Sequence, residues 1–159
     1  MTINLRAILR SNYVVRYHAN PDLARFGDTN GHHQAMVAQI IMALHPNPSM
    51  LLIHAALHHD SGEAGLGDIC GPAKDSDPEL VALLEVAEAR NRDRMGCNYV
   101  LGSEDAEWLQ FADRLAAYFH VKHVAPHVFE EETWQEAKHW LSERAVAKKL
   151  YQLIWELGL

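Results

Sequence analysis

Apolar side chains recur along this chain at the three- and four-residue intervals of amphipathic helices, and no stretch alternates with the two-residue period of a strand. Leu5, Ile8, Leu9 and Tyr13 mark a short first helix over residues 4–15. Over residues 31–45, His32, Ala35, Met36, Gln39, Ile40 and Ala43 share one face. Ser49 is placed to cap a helix over 49–63 that carries Leu52, Ala55, Ala56, His59 and Glu63 on one side. The periodicity then stops: Gly62, Gly65, Gly67, Gly71 and Pro72 crowd into an irregular loop. Ser76-Asp77-Pro78-Glu79 reads as a capping box opening a helix to about Arg94. Ser103 caps the next, through Trp108, Phe111, Ala112, Leu115 and Phe119. Thr133-x-x-Glu136 opens the last, through Trp140, Val146, Leu150, Ile154 and Leu157. The pattern predicts one all-α domain over residues 1–159, built from about six helices, with no repeat or low-complexity segment.

Composition narrows the function classes. The 159 residues suit a single core, and 21 acidic against 14 basic side chains give a net charge of −7. That balance disfavours a nucleic-acid backbone or an anionic membrane as the main partner, while leaving room for a locally positive phosphate pocket. No run reaches the ~20 apolar residues of a membrane span, and no signal-peptide pattern opens the chain. Cys70 and Cys97 form no metal or disulfide motif, so a reduced, cytoplasmic setting is the expectation. The unusual count is eleven histidines, the side chain most often found on transition metals.

The informative stretch is His58-His59-Asp60-Ser61-Gly62-Glu63, which follows the apolar turns Leu51-Leu52-Ile53 and Ala55-Ala56-Leu57. An imidazole and a carboxylate at the end of a core helix must be paired, neutralised or metal-bound. His59, Asp60 and Glu63 can address one cleft from one helix. Asp113, set in Phe111-Ala112-Asp113-Arg114-Leu115, repeats the pattern of an acid among core residues, and His32 lies on the Ala35/Met36 face. Aspartate and histidine are poor interior choices on helix propensity alone. Taken singly, each is as well explained by a cap, an ion pair or a satisfied core histidine. Together they form a mixed nitrogen and oxygen set suited to Mn, Fe, Co, Ni or Zn, and less well to Mg.

The order His32, His59-Asp60, Asp113 resembles the H…HD…D metal signature of the HD-domain phosphohydrolases. The likeness is nearest the branch of bacterial 5′-deoxynucleotidases and short phage dATP triphosphohydrolases. In that branch the second motif looks like H-D-x-x-E-x-x-x-x-D-[IL]-x-x-P-x-K, which stands here as His59, Asp60, Glu63, Asp68, Ile69, Pro72 and Lys74. Ala112-Asp113-Arg114-Leu115-Ala116-Ala117-Tyr118 resembles the third motif, and Arg16-Tyr17 an N-terminal Arg-aromatic pair. The resemblance covers roughly residues 5–120. It departs at Gly31, where the family commonly has glutamate, at His33, often serine, and at Tyr17, usually tryptophan. His32 is taken as the first ligand because that keeps the following face in register; the adjacent His33 is the alternative.

The resemblance implies a compact HD-domain helical bundle and a divalent-metal-dependent hydrolase of deoxynucleotides. His32, His59, Asp60 and Asp113 would hold the ion. Glu63 would orient or deprotonate water, and Asp68 would protonate the leaving oxygen or help hold a second metal near Glu63. Arg16 and Lys74 would face phosphate, Tyr17 would pack on the deoxyribose, and Pro72 would shape the base pocket. The short chain leans towards a dNTP triphosphohydrolase of the dATP type. A 5′-deoxynucleotidase acting on dNMP is the alternative within the class, and a non-catalytic metal- or nucleotide-binding module the alternative outside it. A homo-oligomer, located in the cytoplasm (of the host, if phage-encoded), completes the implied picture.

Overall fold

In the computed structural model, residues 2–159 are described, apart from the side chains of Pro72, Asp75 and Glu130. The described residues form α-helices and short 3-10 segments, and the one β-type pairing is an isolated bridge between Val15 and Thr29. The helices are α1 (Leu5–Ser11), α2 (Asn30–Leu44), α3 (Met50–His58), α4 (Gly71–Ser76), α5 (Pro78–Met95), α6 (Ser103–Val124), α7 (Glu132–Ala147) and α8 (Tyr151–Leu157). None is long and apolar enough to cross a membrane.

The core forms where α2, α3, α6 and α7 meet, around Val37, Ile41, Leu52, Phe111, Leu115, Tyr118 and Leu141. Each of the larger side chains contributes about 1.5–3 kcal/mol by leaving water. The two long central helices, α2 and α6, therefore cannot rotate against each other without emptying this core. Whatever polar groups they carry at one end are held at fixed separation.

Local chemistry sets several of the helix ends, although two expected caps fail: Ser103 is the first residue of α6 behind Gly102, Thr133 lies inside α7 behind Glu131, and neither helix start has a side-chain cap. Ser49 Oγ accepts from Leu52 N, so α3 starts where its cap predicts. Asp77 caps α5 by accepting from Glu79 N and Leu80 N, with Pro78 in the first turn, and Gly96 ends it in the left-handed region.

Three further expectations are corrected. The buried face of α2 is Asn30, His33, Gln34, Val37, Ala38 and Ile41, nearly opposite the predicted face. The loop after Gly67 contains the short helix α4. The predicted C-terminal helix breaks at Lys148–Leu150 into α7 and α8. There Leu150 N donates to Ala145 O and Lys149 N to Val146 O, with Lys149 at φ 60°. That is a Schellman ending in which lysine takes the place usually given to glycine.

Candidate metal centre

α3 does not run on to residue 63. It tightens after His58 into a 3-10 segment, His59–Glu63, with three residues per turn. In that winding Asp60 and Glu63 are aligned one above the other. The segment is held from outside by α5: Arg92 Nη1 donates to His59 O at 2.9 Å, and Asn91 Nδ2 donates to Gly62 O at 2.8 Å. Gly62 packs so closely on α5 that a Cβ there would lie 2.6 Å from Glu88 O.

His33 of α2, His59 and Asp60 of the 3-10 segment, and Asp113 of α6 converge on one point. His33 Nε2 lies 2.8 Å from Asp113 Oδ1, 3.3 Å from His59 Nε2 and 3.7 Å from Asp60 Oδ2. His59 Nε2 lies 3.5 Å from Asp60 Oδ2 and 3.8 Å from Asp113 Oδ1. Ligands about 2.1 Å from a common ion sit about 3.0 Å apart at right angles and about 3.4 Å apart at tetrahedral angles. The cluster spans 2.8–3.8 Å, from right-angle spacing to somewhat wider than tetrahedral.

Two imidazole nitrogens cannot face each other at 3.3 Å with both lone pairs inward; a proton or a cation must lie between them. His59 Nδ1 is 3.0 Å from Ala56 O, which makes Nδ1 the donor and leaves Nε2 as the inward lone pair of the neutral ring. The residues present thus fit a divalent ion. The described residues place His33, His59 and Asp113 as a group able to hold one.

The electrostatics agree. Burial opposes a charged His59, but Asp60 and Asp113 outweigh it and raise its pKa to about 9. Burial likewise opposes the Asp60 and Asp113 carboxylates, yet the neighbouring imidazoles, and Arg16 at Asp60, hold both below the usual range, Asp113 well below. Without a metal the two carboxylates bind a proton on His59. A divalent ion would take the place of that proton.

Glu63 is buried beside this cluster, and Asn30 Nδ2 donates to its Oε2 at 2.8 Å and to Asp60 O at 3.0 Å. Burial and the charge of Asp60 push its pKa up to about 8, with Asn30 partly offsetting the rise. Asp68 Oδ2 accepts from Tyr17 N at 2.8 Å, and Tyr17 is held at φ 57°. Arg16, almost wholly buried, places Nη1 2.5 Å from Asp60 Oδ2 and Nε 3.6 Å from Asp28 Oδ2.

In comparisons with protein families, curated proteins and solved structures, no match to the chain was found.

Of the residues singled out in the sequence, the structure gathers His59, Asp60, Asp113, Glu63 and Arg16. Asp68 and Tyr17 join them through their backbone link. His32 is not among them: its side chain is half exposed and its Nδ1 lies 2.6 Å from Asp28 Oδ1. The packing of Val37 and Ile41 on α6 fixes the phase of α2 and turns His33, one residue or about 100° further round, towards Asp113. Lys74 lies on α4 near Glu88, where its charge works against the burial that raises that carboxyl. Pro72 opens α4, but its side chain, and with it any base-pocket role, falls outside the described residues. Sequence reading missed Asn30, Asn91 and Arg92, polar side chains whose work is to hold backbone and carboxylate in place. An asparagine next to the Thr29 cap gave no sign of facing inward.

Proposed function

We propose that this chain is an HD-domain-type, divalent-metal-dependent hydrolase that releases triphosphate from a deoxynucleoside triphosphate such as dATP. The observation that carries the reading is the convergence of two imidazole nitrogens and two carboxylates from α2, the 3-10 segment and α6, beside a buried glutamate. The H-D-x-x-E-x-x-x-x-D order of His59, Asp60, Glu63 and Asp68 supports the same reading.

His33, His59, Asp60 and Asp113 would hold the ion, which when bound polarises a phosphoryl oxygen and acidifies a water. In the reaction, water adds to the α-phosphorus, the bond to the 5′-oxygen breaks, and the 5′-hydroxyl leaves with a proton. Glu63, buried beside the ligand Asp60, is placed to take a proton from water and give it to the leaving oxygen. Asn30 fixes one of its oxygens and so aims the other. Arg16 offers a guanidinium suited to bidentate contact with phosphate, delivered by the turn that Asp68 holds at Tyr17. A small-molecule deoxynucleotide is the partner, in a homo-oligomer.

A second reading, a 5′-deoxynucleotidase, is favoured by one observation: Arg16 is already engaged by Asp60 and Asp28, and a monophosphate needs fewer cations. One experiment separates the two. Purified protein is incubated with Mn²⁺, Co²⁺ or Zn²⁺ and a panel of dNTPs, dNMPs and ribonucleotides, and products are resolved by chromatography. Triphosphate as product supports the first reading and inorganic phosphate the second. Folded protein that turns over none of these with any metal overturns both.

A further inference from the structure

Asp28, His32 and His120 form a second donor cluster that shares no residue with the first. Each offers one ligand atom, and the three atoms lie within 4.8 Å of one another. His32 Nδ1 is 2.6 Å from Asp28 Oδ1, and His120 Nε2 is 3.9 Å from Asp28 Oδ2. The latter is too long for a hydrogen bond, but about 4 Å is the separation of two ligands at a wide angle around one ion. The two rings meet edge to face, with centroids 5.7 Å apart.

The framework that builds the first site also builds this one. His32 is the neighbour of His33 on α2, and His120 lies two turns beyond Asp113 on α6, about 10 Å along its axis. Asp28 is fixed by its own helix-entry turn, where Thr29 N donates to Oδ1 at 3.0 Å. Its side chain is only 3% exposed, whereas that of His32 is 54% exposed, so the open side of the cluster faces solvent.

Charge supplies an independent reason. Arg16 pairs with Asp28 and Asp60, and the charges of Asp68 and Asp113 add to the negative field on its guanidinium, so that four carboxylates bear on this one cation. One divalent ion leaves that group still negative, an unfavourable setting for a phosphate ligand; a second reverses the sign.

We propose that Asp28, His32 and His120 bind a second divalent transition-metal ion, of the Zn, Co or Ni class that two imidazoles and one carboxylate select. It has coordination positions left over for water or a phosphate oxygen. The proposal does not depend on the reaction assigned to the first site.

The test is metal stoichiometry. Metal-stripped protein is titrated with Zn²⁺ by calorimetry and with Co²⁺ by visible absorption, and the bound metal is counted by elemental analysis. The wild type should take up two equivalents. His32→Ala and His120→Gln should each take up one, and His33→Ala should also take up one, at the second site. Because His32 is half exposed, its replacement leaves the fold intact, and circular dichroism checks this for every variant. A wild type that binds one equivalent, or a His32→Ala/His120→Gln double variant that still binds two, overturns the proposal.

Discussion

Arg16 Nη1 lies 2.5 Å from Asp60 Oδ2 while its Nε lies 3.6 Å from Asp28 Oδ2, so one buried guanidinium joins the α2 entry turn to the 3-10 segment after α3. A lysine has one point of charge and cannot span both. Removing one partner of a buried ion pair typically costs 3–5 kcal/mol. Arg16→Ala is expected to lower the unfolding free energy obtained from urea melts by an amount in that range and to abolish turnover. Arg16→Lys is expected to recover part of the stability but less than a tenth of kcat/KM. A wild-type urea midpoint in Arg16→Ala would show that the pairs carry no net stability.

His33→Ala and His32→Ala discriminate the register of α2. The first should weaken metal binding at the Asp113 centre by at least 100-fold, and the second should leave that centre's affinity within a few-fold of wild type. Isothermal titration at the tight site reads both. The reverse result would place the ligand on the exposed side of the helix.

Metal binding should release protons. His59, raised to about 9 by Asp60 and Asp113, is charged at pH 7.5 in the metal-free protein and must lose its proton to ligate. Titrations at pH 7.5 in buffers of different ionisation enthalpy should therefore give a slope near one proton released per ion at this centre. A slope near zero would mean that His59 is already neutral.

The same group makes stability depend on pH. Its pKa rises from 6.5 unfolded to about 9 folded, so its contribution is complete below 6.5 and disappears as pH climbs through 9. Glu63, raised from 4.5 to about 8, acts in the same direction, its contribution disappearing as pH climbs through 8. Asp60 and Asp113, held low, act oppositely, but only in acid. With a chelator present, stability should fall from pH 6 to pH 9 by about 5 kcal/mol, lowering Tm by roughly 15 °C. Calorimetric scans check this, and saturating metal should flatten the curve.

Glu63→Gln keeps an acceptor for Asn30 and removes a carboxyl that resists ionisation. It is expected to lower kcat by 10²–10⁴ while metal stoichiometry is unchanged, and to raise Tm at pH 8.5 in metal-free protein. Lost metal binding instead would make Glu63 a ligand rather than a proton-transfer group.

The all-helical class, the starts of α3 and α5 and the end of α5 were legible because they depend on local chemistry: Ser49, Asp77-Pro78 and Gly96 act within a few residues of themselves, whereas Ser103 and Thr133, read as caps, make no cap hydrogen bond. His59, Asp60 and Asp113 stood out because acids and imidazoles inside apolar helices demand a partner. The phase of α2 was not legible. His32 and His33 are adjacent, both flanking faces contain alanine and aliphatic residues, and the choice is made by the packing of Val37 and Ile41 on α6. Nor was the break at Lys149, where a lysine adopts a conformation that sequence reading reserves for glycine. Asn91 and Arg92 lie on a helix that reads as polar surface, and their role exists only because α5 returns against the turn it supports.

The change of winding after His58 also bears on redesign. Ser61-Gly62 looks like a weak point in a good helix, and a stabilisation campaign would replace it with strong helix formers. Continuous α-helix would turn Glu63 away from its alignment above Asp60, and any side chain at residue 62 would press against Glu88. Such variants would gain local order and lose the centre, so thermostability screens run without an activity readout would select against function here.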